Sequence, residues 1–180
     1  MHKVRNNMNR VSRSIRVAAA ACAVACALVV TGCVAQSTTG VTSEAEQNRQ
    51  YMATLNQQVT DIQEDLTAFQ DAVAKQDAVT MQAHLTSVDK VIESVKNTDC
   101  TSKLQPAKDL YVDALCSLDD ALASYVSLYT DVANGTVDSA TYDERLSSVQ
   151  SAYNEAMDKL KSADDKIVSI SNGEDSESHE

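Results

Sequence analysis

Apolar residues recur along this chain at alternating steps of three and four, in four separate runs. The first places Met52, Leu55, Val59, Ile62, Leu66, Phe69 and Val73 on one stripe. The second holds Met81, Leu85, Val88, Ile92 and Val95, and the third holds Leu104, Tyr111, Leu115, Leu118, Leu122, Tyr125, Tyr129 and Val132. The fourth passes through Tyr142, Leu146, Val149, Tyr153, Ala156, Leu160, Ala163, Ile167 and Ile170. This spacing gathers apolar side chains on one face of an α-helix, so each run predicts an amphipathic helix that packs lengthwise on others.

The breaks between runs are marked unequally. Asn134-Gly135 is a helix stop of the left-handed type, and Thr136 or Asp138 can cap the helix that follows. Pro106 suits the first turn of the third helix, with residues 98–105 as connector. The first break is the least defined, because the step from Val73 to Met81 is one residue longer than a heptad. Asp77 can cap a new helix there, or one long helix can pass through. A turn at Lys75-Gln76-Asp77 is favoured, since a hairpin lets both apolar faces meet in one core. The expected elements are helices over 44–74, 77–97, 106–133 and 138–170. They form an all-α, up-down antiparallel bundle of four helices, or three if the first two are continuous. The same stripes could also pair between chains as a coiled coil.

Composition agrees with that class: four Gly, one Pro, one Phe and no Trp leave few turn formers and few β-type aromatics. At 180 residues the chain holds one domain.

Charge divides the chain. Lys3, Arg5, Arg10, Arg13 and Arg16 precede an apolar stretch from Val17 to Val30, and no acid occurs before Cys33. Setting those five positives aside leaves 10 of the 15 basic residues against all 26 acidic ones, a balance of −16. A body so acidic repels nucleic acid, which is excluded as a partner. The apolar stretch is short for a membrane span and suits the core of a signal peptide behind its basic flank.

That stretch ends in Val30-Thr31-Gly32-Cys33, which resembles the bacterial lipobox, with Val where Leu is more usual. The resemblance implies that residues 1–32 are a lipoprotein signal peptide and that Cys33 is acylated to become the first residue of the mature chain. Each buried acyl CH2 contributes about 0.8 kcal/mol, so two or three chains would hold the protein on the extracytoplasmic face of the cell membrane. The other reading makes Cys33 an ordinary residue after a conventional signal or anchor. Residues 33–43, with the small polar run VAQSTTGVTS, read as a flexible tether to the domain at 44–170. Residues 171–180, SNGEDSESHE, read as a disordered acidic tail. In layout the chain resembles the uncharacterised helical lipoproteins of Gram-positive bacteria, a likeness that assigns no functional residue beyond Cys33.

Export would place Cys100 and Cys116 where disulfides persist, and a bridge between them is expected. It requires the connector before the third helix to run alongside that helix, because Cys116 stands well up it. Without that geometry they are two buried thiols.

Chemistry for catalysis is sparse. Beyond the leader the histidines are His84 and His179, and no Ser-His-acid or Cys-His set, HExxH or CxxC pair can be assembled. Gly40, Gly135 and Gly173 make no phosphate loop. The acidic groups Asp61/Glu64/Asp65, Asp119/Asp120 and Asp164/Asp165 read as solvated helix faces. No catalytic residue, metal site or cofactor is expected. Tyr111, Tyr125, Tyr129, Tyr142 and Tyr153 fall on the stripes of the last two helices, where they can line an interhelical groove or pack at core edges with hydroxyls in water. The expected function is a membrane-anchored, non-enzymatic helical binding or scaffolding module facing a cell-wall or surface-protein partner. The alternative is a small-ligand or peptide receptor that uses the tyrosine groove.

Overall fold

The computed structural model describes residues 43–172. Four helices run in sequence: α1 (Glu44–Lys75), α2 (Ala78–Asn97), α3 (Gln105–Asn134) and α4 (Ser139–Asn172). Cys33, the leader, most of the tether and the tail from residue 173 lie outside the described residues. Each helix falls within a residue or two of its expected span. Ser43 is the N-cap of α1, where its Oγ accepts from the Glu46 N–H at 3.3 Å, and α4 continues to Asn172.

The doubtful first break is a turn. Gln76 takes left-handed backbone at φ 60°, and the N–H groups of Gln76 and Asp77 return to the carbonyls of Val73 and Ala72. These bonds satisfy carbonyls that the helix end would otherwise leave unpaired. Asp77 then caps α2: its Oδ1 accepts from Thr80 N–H at 3.1 Å and its Oδ2 from the Thr80 hydroxyl at 2.6 Å. Both bonds favour the ionised carboxylate and hold the exposed Asp77 below its ordinary pKa. Gly135 ends α3 at φ 71°, and Asp138 caps α4 by accepting from Thr141 N–H at 2.8 Å.

Cross-helix bonds fix the directions. Gln58 Nε2 donates to Ser94 Oγ and His84 Nδ1 meets Asp65 Oδ1, so α1 and α2 are antiparallel. Tyr111 with Asp164, Lys159 with Ser117 and Arg145 with Asp131 set α3 and α4 antiparallel in turn. α2 also packs on α3, which joins the two hairpins through one core. Met81, Leu115, Leu118 and Leu128 are its largest fully enclosed side chains.

The fourth side is different: α1 and α4 barely touch. On α1 the buried residues are Tyr51, Leu55, Gln58, Ile62, Phe69, Ala72 and Val73, a stripe turned toward α2 and α3. The row Met52, Val59 and Leu66 is consequently only half-buried. On α4, Ala156, Ala163, Ile167 and Ile170 are enclosed, whereas Tyr153 and Leu160 are half-buried. The bundle is therefore open along one edge, and both edge rows are apolar.

Candidate ligand-binding cleft

Between these two rows lies a cleft of about 320 Å³. One wall is Val59, Ile62, Gln63 and Leu66 of α1; the floor is Tyr111, Leu115 and Leu118 of α3. The other wall is Tyr153, Met157 and Leu160 of α4, with Asp158, Lys161 and Asp164 alongside. The helical period produces this lining: residues three, four and seven apart share a face. Its volume is at the low end for small-molecule sites.

Polar groups sit at its margin. The Tyr111 hydroxyl donates to Asp164 Oδ1, which ties the floor to the α4 wall. Lys161 Nζ is paired with Asp165 Oδ2 at 2.8 Å. No Ser, Cys or His lines the cleft, so it offers hydrogen bonds and apolar surface and no nucleophile of those types. A larger, shallow depression of about 500 Å³ lies where α3 meets α4, lined by Asp120, Ser124, Ser127, Arg145 and Ser148 with Ala123 and Val149. It is mostly polar, and its Arg145 is held by Asp131 at 2.7 Å and Ser127 at 3.3 Å.

The five tyrosines expected in one groove are divided between two places. Tyr111 and Tyr153 belong to the cleft. Tyr125, Tyr129 and Tyr142 gather toward the other end of the α3–α4 hairpin, where Tyr125 meets Phe69 edge-on at 6.0 Å. Tyr129 donates its hydroxyl to the Gln76 carbonyl at 2.9 Å. The Tyr125 and Tyr142 hydroxyls are enclosed without a hydrogen-bond partner. Burial disfavours their phenolates: it raises the Tyr125 pKa, with Tyr142 and Tyr129 adding to the effect, and pushes Tyr142 up to about 12. Height along the helix separates Tyr111, near the start of α3, from Tyr129, near its end.

The expected Cys100–Cys116 bridge is corrected: both cysteines are free thiols. Cys100 is held at the foot of α3, where its Sγ donates to Gln105 Oε1 at 3.3 Å. Cys116 stands eleven residues above Gln105, a rise of about 16 Å. The connector does not climb beside the helix, and Lys108 Nζ pins the Thr98 carbonyl at 2.7 Å. Burial raises the Cys100 thiol pKa, Asp109 and Asp99 add to it, and Lys108 opposes them.

Sequence reasoning missed Tyr51, which is 3 % exposed with an unpartnered hydroxyl, because the heptad register assigned Met52 to the core instead. Met157 and Gln63 were missed as well; they flank the stripes by one position. His84 joins Asp65 at 2.9 Å across α1 and α2. Among the described residues no three His, Cys, Asp or Glu side chains converge as a metal site would require, and no helix is long and apolar enough to cross a membrane.

No family model matches the chain, and neither a curated protein nor a solved structure does.

Proposed function

We propose that this chain is an acylated lipoprotein of the extracytoplasmic membrane face, anchored through Cys33, whose helical domain is a non-enzymatic binding module working through the α1–α4 cleft. The observation that supports the cleft is the half-buried apolar edge on both sides of it: Val59 and Leu66 facing Tyr153 and Leu160 across the α3 floor. A bundle with no use for that edge would gain by closing it, since each square ångström of apolar surface removed from water contributes about 25 cal/mol. The lipobox supports the address.

Photo-crosslinking in intact cells tests the binding role. A photoreactive amino acid replaces Met157 in the cleft of the full chain, and in a second variant Val79, which is 81 % exposed on α2. A crosslinked partner from position 157 and none from 79 supports the reading; no adduct, or equal adducts from both, overturns it.

A small-ligand receptor is the second reading. It is favoured by the Tyr111–Asp164 pair at one end of the cleft, which would meet a polar head while the apolar walls take its body. Ligand-dependent thermal stabilisation with no protein adduct would select it.

A further inference from the structure

We infer that the α1–α4 cleft takes a basic amphipathic helix, an occupant that completes the open side of the bundle as a fifth helix. The inference rests on the cleft being the binding site and adds the chemistry of what fills it.

Shape is the first argument. Val59 and Leu66 are seven residues apart on one wall, and Tyr153 and Leu160 are seven apart on the other. Two parallel rows at heptad spacing form the holes that receive the knobs of a third helix. The α4 wall runs from Tyr153 to Asp164, about 16 Å or three turns. A helix of three turns with apolar residues at i, i+3 or i+4, and i+7 matches that length.

Charge selects among helices. Asp158 and Asp164 edge the α4 wall, and its cation, Lys161, is already paired with Asp165. On the α1 side the shoulder beyond Gln63 carries Glu64 and Asp71. A helix lying in the trough presents its polar flanks to these acids, so Lys or Arg at those positions are attracted and Glu or Asp repelled. A second copy of this chain would be repelled in turn, because the residues after Cys33 carry a balance of −16.

The test uses the full chain in phosphatidylcholine nanodiscs, with empty nanodiscs as background. The probes are two synthetic helices of about 15 residues with the same leucine stripe and a central photoreactive group, one with lysines on the polar face and its twin with glutamates. The expected result is capture of the lysine helix, mapped by mass spectrometry to the Leu66 and Tyr153 walls, about tenfold above the glutamate twin. Leu66→Gln and Met157→Gln, on opposite walls, should each weaken capture about fivefold, and Val79→Gln should not. Circular dichroism of each variant separates lost binding from lost folding. Equal capture of both twins in the cleft overturns the basic preference. Capture insensitive to both wall variants, or none, overturns the helical occupant. Adducts between two copies from a photoreactive group at Met157 overturn it in favour of self-association. If the in-cell crosslink from position 157 persists through any of these failures, the binding role stands and only the occupant is wrong.

Discussion

The Tyr129 hydroxyl, near the end of α3, donates to the carbonyl of Gln76, the left-handed residue at the α1–α2 turn, at 2.9 Å. One side chain thus links the second hairpin to the tip of the first. Tyr129→Phe leaves that carbonyl short of a partner and should lower unfolding stability by about 1 kcal/mol, read as a lower urea midpoint with unchanged slope.

Two left-handed helix ends should respond in opposite directions. Gln76 holds φ 60° with a Cβ, and Gln76→Gly should stabilise by about 0.5 kcal/mol. Gly135 holds φ 71° with open space around a would-be Cβ, so Gly135→Ala meets backbone strain alone and should cost about 1 kcal/mol. Thermal melts of both variants give the signs.

Asp119 sets a pH dependence. Burial, then Asp89 across the α2–α3 contact and Asp120 beside it, push its carboxyl up to about 6 against the pull of Lys96. A carboxyl whose folded pKa exceeds its unfolded value favours the fold when protonated. Its contribution is therefore largest below about pH 4 and is lost as pH rises through 6. Asp119→Asn should stabilise at pH 7 by about 1 kcal/mol, allowing for solvent screening, and by little at pH 4. Denaturation at both pH values measures the difference, and an equal effect at both would refute the account.

Free thiols at Cys100 and Cys116 have a direct readout. The mass of the chain should be the same before and after reduction, and both cysteines should accept alkylating agent without prior reduction. Cys100 should react slowly at pH 8, since its raised pKa keeps the thiolate scarce.

Cys33→Ser tests the anchor. The variant should accumulate as unprocessed precursor or leave the membrane fraction, and a mature membrane-bound form unchanged from the parent would reject acylation.

The helices were readable because heptad runs, Asp77, Pro106 and Gly135 are local signals, each within a few residues of the boundary it marks. Gln76 was not a signal of that kind: its left-handed backbone follows from two hairpin faces turning inward, and glutamine itself does not announce it. The cleft was hidden for a related reason. Periodicity says which residues share a stripe, but not how far the helix rotates about its axis. That rotation buries Tyr51 and leaves Val59 and Leu66 at an edge. The failed disulfide is an error of height, since Cys100 stops at the foot of α3.

An even number of alternating helices has a mechanical result. The chain enters the bundle at Ser43 and leaves it at Asn172 on the same end, while the turns at Gln76 and Gly135 form the opposite tip. With the anchor proposed at Cys33, the end that holds Ser43 would be the membrane end, and the turns at Gln76 and Gly135 would point away from it. The trough, running lengthwise, would then open along the flank of the module, toward neighbours that stand on the same surface.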